Sequence, residues 1–299
     1  MNNYDISELR TLFDRSLFHA GRRSKNDCGK IIYSSEDIRE TIPYKINKHG
    51  YRSEEFEKNN EVLILGCSQT FGSGMFNEFT WPDIFCNSTN KKYSRLAISG
   101  DSIGAQVYKA FKYFEEIGNP EIVLGLFPLY RLEYVSVPKK FVANFRSGNT
   151  EHEKLCAGIA YVNGETPIQF SKAPHDPEHV IPQEFVIFYN FMFIKMLEQY
   201  CKSNNIKFIW SIYDDKNIEM YMQSNPNILK NYLKTSDHFK DCKNKSEGCA
   251  IEFENHKLYS WGADYNQSKD LGHWGIHSHK HIAERFIDRY RKIENDKQY

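Results

Sequence analysis

Short apolar runs separated by longer amphipathic stretches set the rhythm of this chain. Glu61-Val-Leu-Ile-Leu65 is apolar at every position after its first and stops at Gly66, the pattern of a buried strand that runs into a tight turn. Runs of the same kind return at 93–99 (ahead of Gly100), at 121–126 and at 206–212. Between and after them the spacing predicts helices over 103–117, over the aromatic-rich stretch 185–203, and over 277–293. Near the start, Leu9, Leu12, Phe13 and Leu17 predict a short amphipathic helix within 4–19. Strands without polar alternation are covered on both faces, and strands that alternate with helices pair in parallel through right-handed crossovers. The predicted fold is therefore α/β, a three-layer sandwich around a mostly parallel sheet.

Two stretches break the rhythm. Residues 128–184 hold six of the ten prolines and the turn Val162-Asn-Gly164, and 220–268 is irregular as well. Loops this long in a compact domain usually carry function. The expected organisation is an N-terminal helix and extension over 1–60, packed on an α/β domain over 61–299 with insertions at about 128–184 and 220–268. No internal repeat or low-complexity segment interrupts it.

Composition narrows the function classes. Lys plus Arg and Asp plus Glu each total 39, a formal net charge of zero, which gives no electrostatic reason to expect nucleic acid or an acidic membrane as partner. The 21 Phe and 19 Tyr supply a large aromatic core. Seven cysteines, at 28, 67, 86, 156, 201, 242 and 249, lack CxxC spacing and read as reduced, mostly buried thiols, although Cys242 and Cys249 can close a small loop in an oxidising compartment. The N-terminus shows no basic segment followed by an apolar one, and no apolar run nears the roughly 20 residues of a membrane span. The expectation is a cytoplasmic or virus-encoded protein. Nothing in the sequence fixes an oligomeric state.

Two local motifs carry chemistry. In Leu65-Gly-Cys-Ser-Gln-Thr-Phe-Gly-Ser-Gly74 a strand stops and a Gly-X-Ser turn follows, which would place Ser68 beyond the carboxyl end of a sheet strand, where α/β proteins bind ligands. In Lys269-Asp-Leu-Gly-His273, Asp270 and His273 are spaced so that the carboxylate can orient the imidazole, and a serine hydroxyl needs such a base to act as a nucleophile. Each motif alone is also compatible with an inert turn.

Together and in this order, the motifs resemble the SGNH (GDSL-like) hydrolase superfamily. The Ser block matches Gly66-Cys67-Ser68 with Gly72, and the Gly block matches Ser99-Gly100-Asp101-Ser102-Ile103-Gly104. The last block matches Asp270 and His273 ahead of a helix-forming tail, and Ile46-Asn-Lys-His-Gly-Tyr-Arg52 is similar to a segment that precedes the Ser block in some members. The resemblance implies a flavodoxin-like topology, with Ser68 as nucleophile, His273 as base, Asp270 as its orienter, and the N–H groups of Ser68 and Gly100 as oxyanion donors. It implies a serine esterase acting on a small-molecule or carbohydrate ester with no cofactor or metal. O-acetyl groups on sugars fit the aromatics Tyr130, Tyr134, Tyr161 and Trp261; lipid esters and acyl thioesters are the alternatives.

Two departures stand out. Cys67 replaces the usual acidic residue before the serine, and as an alternative nucleophile it is disfavoured by the strand-to-turn register. The third block should supply an Asn amide, yet the chain reads Gly125-Leu-Phe-Pro-Leu-Tyr-Arg131. Losing one oxyanion donor costs about 3–4 kcal/mol of transition-state stabilisation. Arg131 or Tyr130 can substitute, or the chain can be a binding protein that keeps the scaffold. A second use of the dense histidines, a metal held by His277 and His281, lacks an acidic or Cys partner at ligand spacing, and Asp214-Asp215 either contacts substrate or caps a helix.

Overall fold

The computed structural model describes residues 29–33, 42–128, 131–136, 141–146, 159–160, 168–169, 183–212 and 273–295. The helix expected within 4–19, Asp214-Asp215, Cys242 and Cys249 lie outside them. A short antiparallel pair, β1 (Ile31–Tyr33) and β2 (Pro43–Lys45), precedes the sheet. Then follow β3 (Val62–Gly66), the one-turn helix α1 (Ser68–Phe71), α2 (Trp81–Thr89), β4 (Tyr93–Arg95), α3 (Ile103–Glu116) and β5 (Ile122–Phe127). The hairpin β6 (Arg131–Ser136) and β7 (Phe141–Arg146) and the small pair β8 (Ile159–Ala160) and β9 (Ile168–Gln169) come next. The chain closes with α4 (Gln183–Ser203), β10 (Lys207–Ile212) and α5 (Ile276–Asn295).

The core sheet has four strands in the order β10-β5-β3-β4, all parallel. In chain order this is 2-1-3-4, the order of the first four strands of the flavodoxin-like arrangement. Pairing at the edge runs past the formal end of β4, because Leu96 N–H donates to Ile64 O (2.9 Å) and Ile98 N–H to Gly66 O (3.3 Å). The apolar run predicted over 93–99 thus behaves as strand almost to its end.

Side-chain alternation divides the core into two layers. Val62, Ile64, Ile122, Leu124, Leu126 and Ile209 face α2 and α5, packing on Trp81, Phe85, Ile282, Ala283 and Phe286. Leu63, Leu65, Val123, Phe127, Trp210 and Ile212 face α3 and α4, packing on Ile103, Val107, Ala110, Ile194 and Leu197. The protein is a three-layer α/β sandwich. Each fully buried Leu, Ile or Phe contributes roughly 1.5–3 kcal/mol, so both layers are needed to offset chain entropy. Gly125 sits where a Cβ would lie 2.3 Å from the ring of Phe127, so the third strand gives up one side chain to admit that ring.

The insertion expected over 128–184 includes the β6–β7 hairpin and the β8–β9 pair rather than irregular chain alone. Among the described residues no helix is long and apolar enough to cross a membrane. Cys67, Cys86 and Cys201 are buried and outside any disulfide, and burial pushes Cys201 up to about 12 and raises Cys86 as well.

Candidate active site

The order of the strands creates the site. β3 connects to β4 through α2 on one face, and β4 connects to β5 through α3 on the other. The connections therefore change face between β3 and β5, and in open α/β sheets ligands bind beyond the carboxyl ends of the strands at such a switch point. Gly66 ends β3 at this point. A Cβ there would lie 1.9 Å from Thr70 Oγ1, so the helix that follows can fold back only onto a glycine. Cys67 occupies the N-cap and Ser68 opens α1. The first N–H groups of a helix have no acceptor within it, which leaves the amide of Ser68 directed out of the turn. Ser68 is buried, with its hydroxyl 3.9 Å from Cys67 Sγ. Gly72 closes the turn in the left-handed region (φ +76°), where its amide donates to Ser68 O at 2.9 Å.

The Gly block lies beside this turn. Ser73 and Ser99 share a hydroxyl–hydroxyl hydrogen bond of 2.9 Å. Gly100 follows with φ +84°, a conformation that favours glycine and turns the chain into α3. Ser102 caps that helix by accepting from Ala105 N–H at 3.1 Å. Behind the turn, Asp101 and Lys109 form a buried ion pair at 2.6 Å, each side chain less than a tenth exposed. That pair fixes the first turns of α3 against the loop carrying Gly100.

The C-terminal motif reaches the same rim. Trp274 N–H donates to Gln69 Oε1 at 3.2 Å, so the residue after His273 is bonded to the residue after Ser68. His273 itself is half-buried. Asp270 lies outside the described residues, as do Tyr130, Tyr161, Trp261 and the side chains of Arg131 and Tyr134. Arg131 opens β6, three residues beyond Pro128 at the carboxyl end of β5.

Sequence reasoning passed over the supports of the Ser68 turn. Arg52 is buried and its guanidinium donates to Phe71 O (3.2 Å), Gly72 O (2.6 Å) and Met75 O (2.7 Å) while stacking 4.1 Å over the Tyr44 ring. Burial, followed by the like charge of Arg95, lowers its pKa to about 9. Arg95, also buried, donates through Nε to Arg52 O (2.7 Å) and through Nη2 to Asn77 Oδ1 (2.5 Å). The lead-in motif now has a physical meaning. Asn47 Oδ1 accepts from the amides of His49 and Tyr51 (both 3.0 Å) and Gly50 turns through φ +85°, which delivers Arg52 under the turn. The polar setting of residues 46–60 reads as surface, so the only signal was that motif.

The histidine cluster resolves differently from a metal pair. His277 is exposed and His281 half-buried, and among the described residues no three His, Cys, Asp or Glu side chains group as a metal site. His279 is fully buried, and its Nδ1 accepts from Trp81 N–H at 3.1 Å, a tie between α5 and α2. Burial, then the positive charge of Arg52, pushes His279 down to about 3. An unfolded histidine titrates near 6.5. Between those values the unfolded chain holds a proton that the folded chain does not, so stability falls as pH drops from about 6.5 towards 3. We expect the loss of urea stability between pH 7 and pH 4.5 to be smaller in His279→Asn than in the wild type. Equal losses would contradict this assignment.

No protein-family model matches the chain, and no curated protein matches its sequence. Solved structures do match. A psychrotrophic esterase, EstA, from Pseudoalteromonas sp., solved in a form inhibited by monoethylphosphonate, is 13% identical with a TM-score of 0.42, over 79% of this chain and 99% of that one. An acetyl xylan esterase, Est2A, from the rumen bacterium Butyrivibrio proteoclasticus is 13% identical with a TM-score of 0.37, over 78% of this chain and 64% of that one.

Proposed function

We propose that the chain is a serine esterase of the SGNH kind that hydrolyses a small acyl ester through a covalent acyl-enzyme. The observation that supports this reading best is the hydrogen bond from Trp274 N–H to Gln69 Oε1, which ties the neighbours of Ser68 and His273 across 205 residues of sequence at the sheet's switch point. His273 takes the proton of the Ser68 hydroxyl as Oγ attacks the ester carbonyl, and Asp270 holds the imidazole in the tautomer this requires. The N–H groups of Ser68 and Gly100 receive the oxygen of the tetrahedral intermediate. Collapse expels the alcohol, protonated by His273, and a water activated by the same imidazole releases the acid. Arg131, just beyond β5, is the proposed donor in place of the third-block Asn.

The preferred substrate is an O-acetyl group on a carbohydrate, with Tyr130, Tyr134, Tyr161 and Trp261 as stacking surfaces for the sugar. The purified protein should turn over p-nitrophenyl acetate, and acetylated saccharides in preference to long-chain lipid esters and acyl thioesters. A folded protein that hydrolyses no short-chain ester would favour the second reading, a binding protein on the same scaffold, which the missing Asn motivates.

A further inference from the structure

The link between the two motifs passes through one side chain, which the mechanism above does not use. Gln69 is the second residue of α1 and half-buried at the rim. Its Oε1 holds the amide of Trp274 at 3.2 Å. The Trp274 side chain is buried in the layer formed with Trp81, Ile282 and Phe286. Residue 274 is therefore held from below by apolar packing and from the side by Gln69, and His273 is the next residue in the chain.

We infer that Gln69 is a positioning residue for His273, setting the imidazole against Ser68 through the backbone of Trp274; this rests on the esterase reading of Ser68 and His273. The residue type fits the task. A backbone N–H needs an acceptor, which an aliphatic side chain lacks. Asn is one methylene shorter on a helix whose backbone is already fixed by Gly66 and Gly72. A Glu would accept the same bond but would place a carboxylate beside a titratable base, raising its pKa and keeping it protonated at neutral pH. Glutamine is the neutral acceptor of this reach, so it fixes position without adding charge next to the base. Misplacing a catalytic group by about 1 Å can cost roughly 100-fold in rate.

The test compares wild type, Gln69→Met and Gln69→Glu by three readouts. These are the rate at which a fluorophosphonate acylates Ser68, the pH profile of kcat/KM for p-nitrophenyl acetate, and amide hydrogen exchange at Trp274. Gln69→Met keeps the length but loses the acceptor. It should acylate about 10- to 100-fold more slowly, with the loss in kcat rather than KM, and the Trp274 amide should exchange faster. Gln69→Glu should keep that amide slow and lose less rate, while the acid limb of its kcat/KM profile moves to higher pH. A side chain that served packing alone would leave the Trp274 amide exchanging as slowly in Gln69→Met as in the wild type. Wild-type acylation rates in Gln69→Met, or an unmoved limb in Gln69→Glu, overturn the inference while leaving the labelled Ser68 of the wild type in place. A wild type that never labels at Ser68 overturns the esterase reading, and the positioning role with it.

Discussion

Ser68→Ala is expected to lower p-nitrophenyl acetate turnover by at least about 1,000-fold, His273→Ala by a similar factor, and the double variant by no more than the worse single one. In the proposed mechanism nucleophile and base act as one unit, so removing either would abolish the step that both serve. The two residues come from distant parts of the chain, Ser68 just after β3 and His273 ahead of α5, with their neighbours Gln69 and Trp274 hydrogen-bonded to each other. Neither replacement should unfold the protein, because the turn carrying Ser68 is held by backbone bonds and by Arg52 rather than by the hydroxyl. Circular dichroism and urea unfolding of the variants separate lost chemistry from lost structure. Losses that multiply in the double variant would mean that the two residues act independently, and the acyl-enzyme mechanism would not hold.

The second large effect is structural. Arg52→Met should cost about 3–5 kcal/mol of stability, as three backbone carbonyls lose a charged donor while the like charge beside Arg95 is relieved. Its guanidinium serves three backbone carbonyls, at Phe71, Gly72 and Met75, and a thioether serves none. Buried acceptors left without donors keep their full desolvation penalty, and bonds to a charged donor are worth about 1.5–3 kcal/mol each. Arg52→Lys restores the charge but cannot spread planar donors over three carbonyls, so it should recover less than half of the loss. Urea midpoints at pH 7 measure both. A wild-type midpoint in Arg52→Met would show that the turn stands without the guanidinium.

The layers of the fold were readable because their chemistry is local. Val62 to Leu65, Ile122 to Leu126 and Ile209 to Ile212 are apolar in runs too short for helices, and the sheet buries them on both faces. Helix α2 was foreseeable only as a helix-forming segment after Gly74, without bounds, since its nine residues open with Trp81-Pro82 and give about two and a half turns of periodicity. The β6–β7 hairpin was absorbed into an insertion because the prolines at 128 and 138 flank and interrupt its alternation.

The site divides along the same line. The proposed residues Ser68, Gly100 and His273 were picked out by turn motifs, and in the first two the glycines answer to local backbone demands, φ +76° at Gly72 and φ +84° at Gly100. Arg52 did not, because an arginine in a polar segment reads as solvent-facing until the sheet order places it inside, and Arg95 did not, because nothing local to its strand names the groups it bonds. Their exposures of 2% and 1% follow from where Tyr44, Asn77 and Thr80 meet, which no local window contains. His279 is the same case. It sits in a run of histidines that suggests a polar face, yet α2 covers it completely.

In the proposed mechanism one hydroxyl, at residue 68, is activated by the imidazole of residue 273. Incubation of the folded protein with a fluorophosphonate, followed by digestion and mass spectrometry, tests it most directly. A single adduct is expected on the peptide that carries Ser68, absent in Ser68→Ala and strongly slowed in His273→Ala. An adduct on Cys67 or elsewhere, or labelling of Ser68 at the same rate without His273, would contradict it.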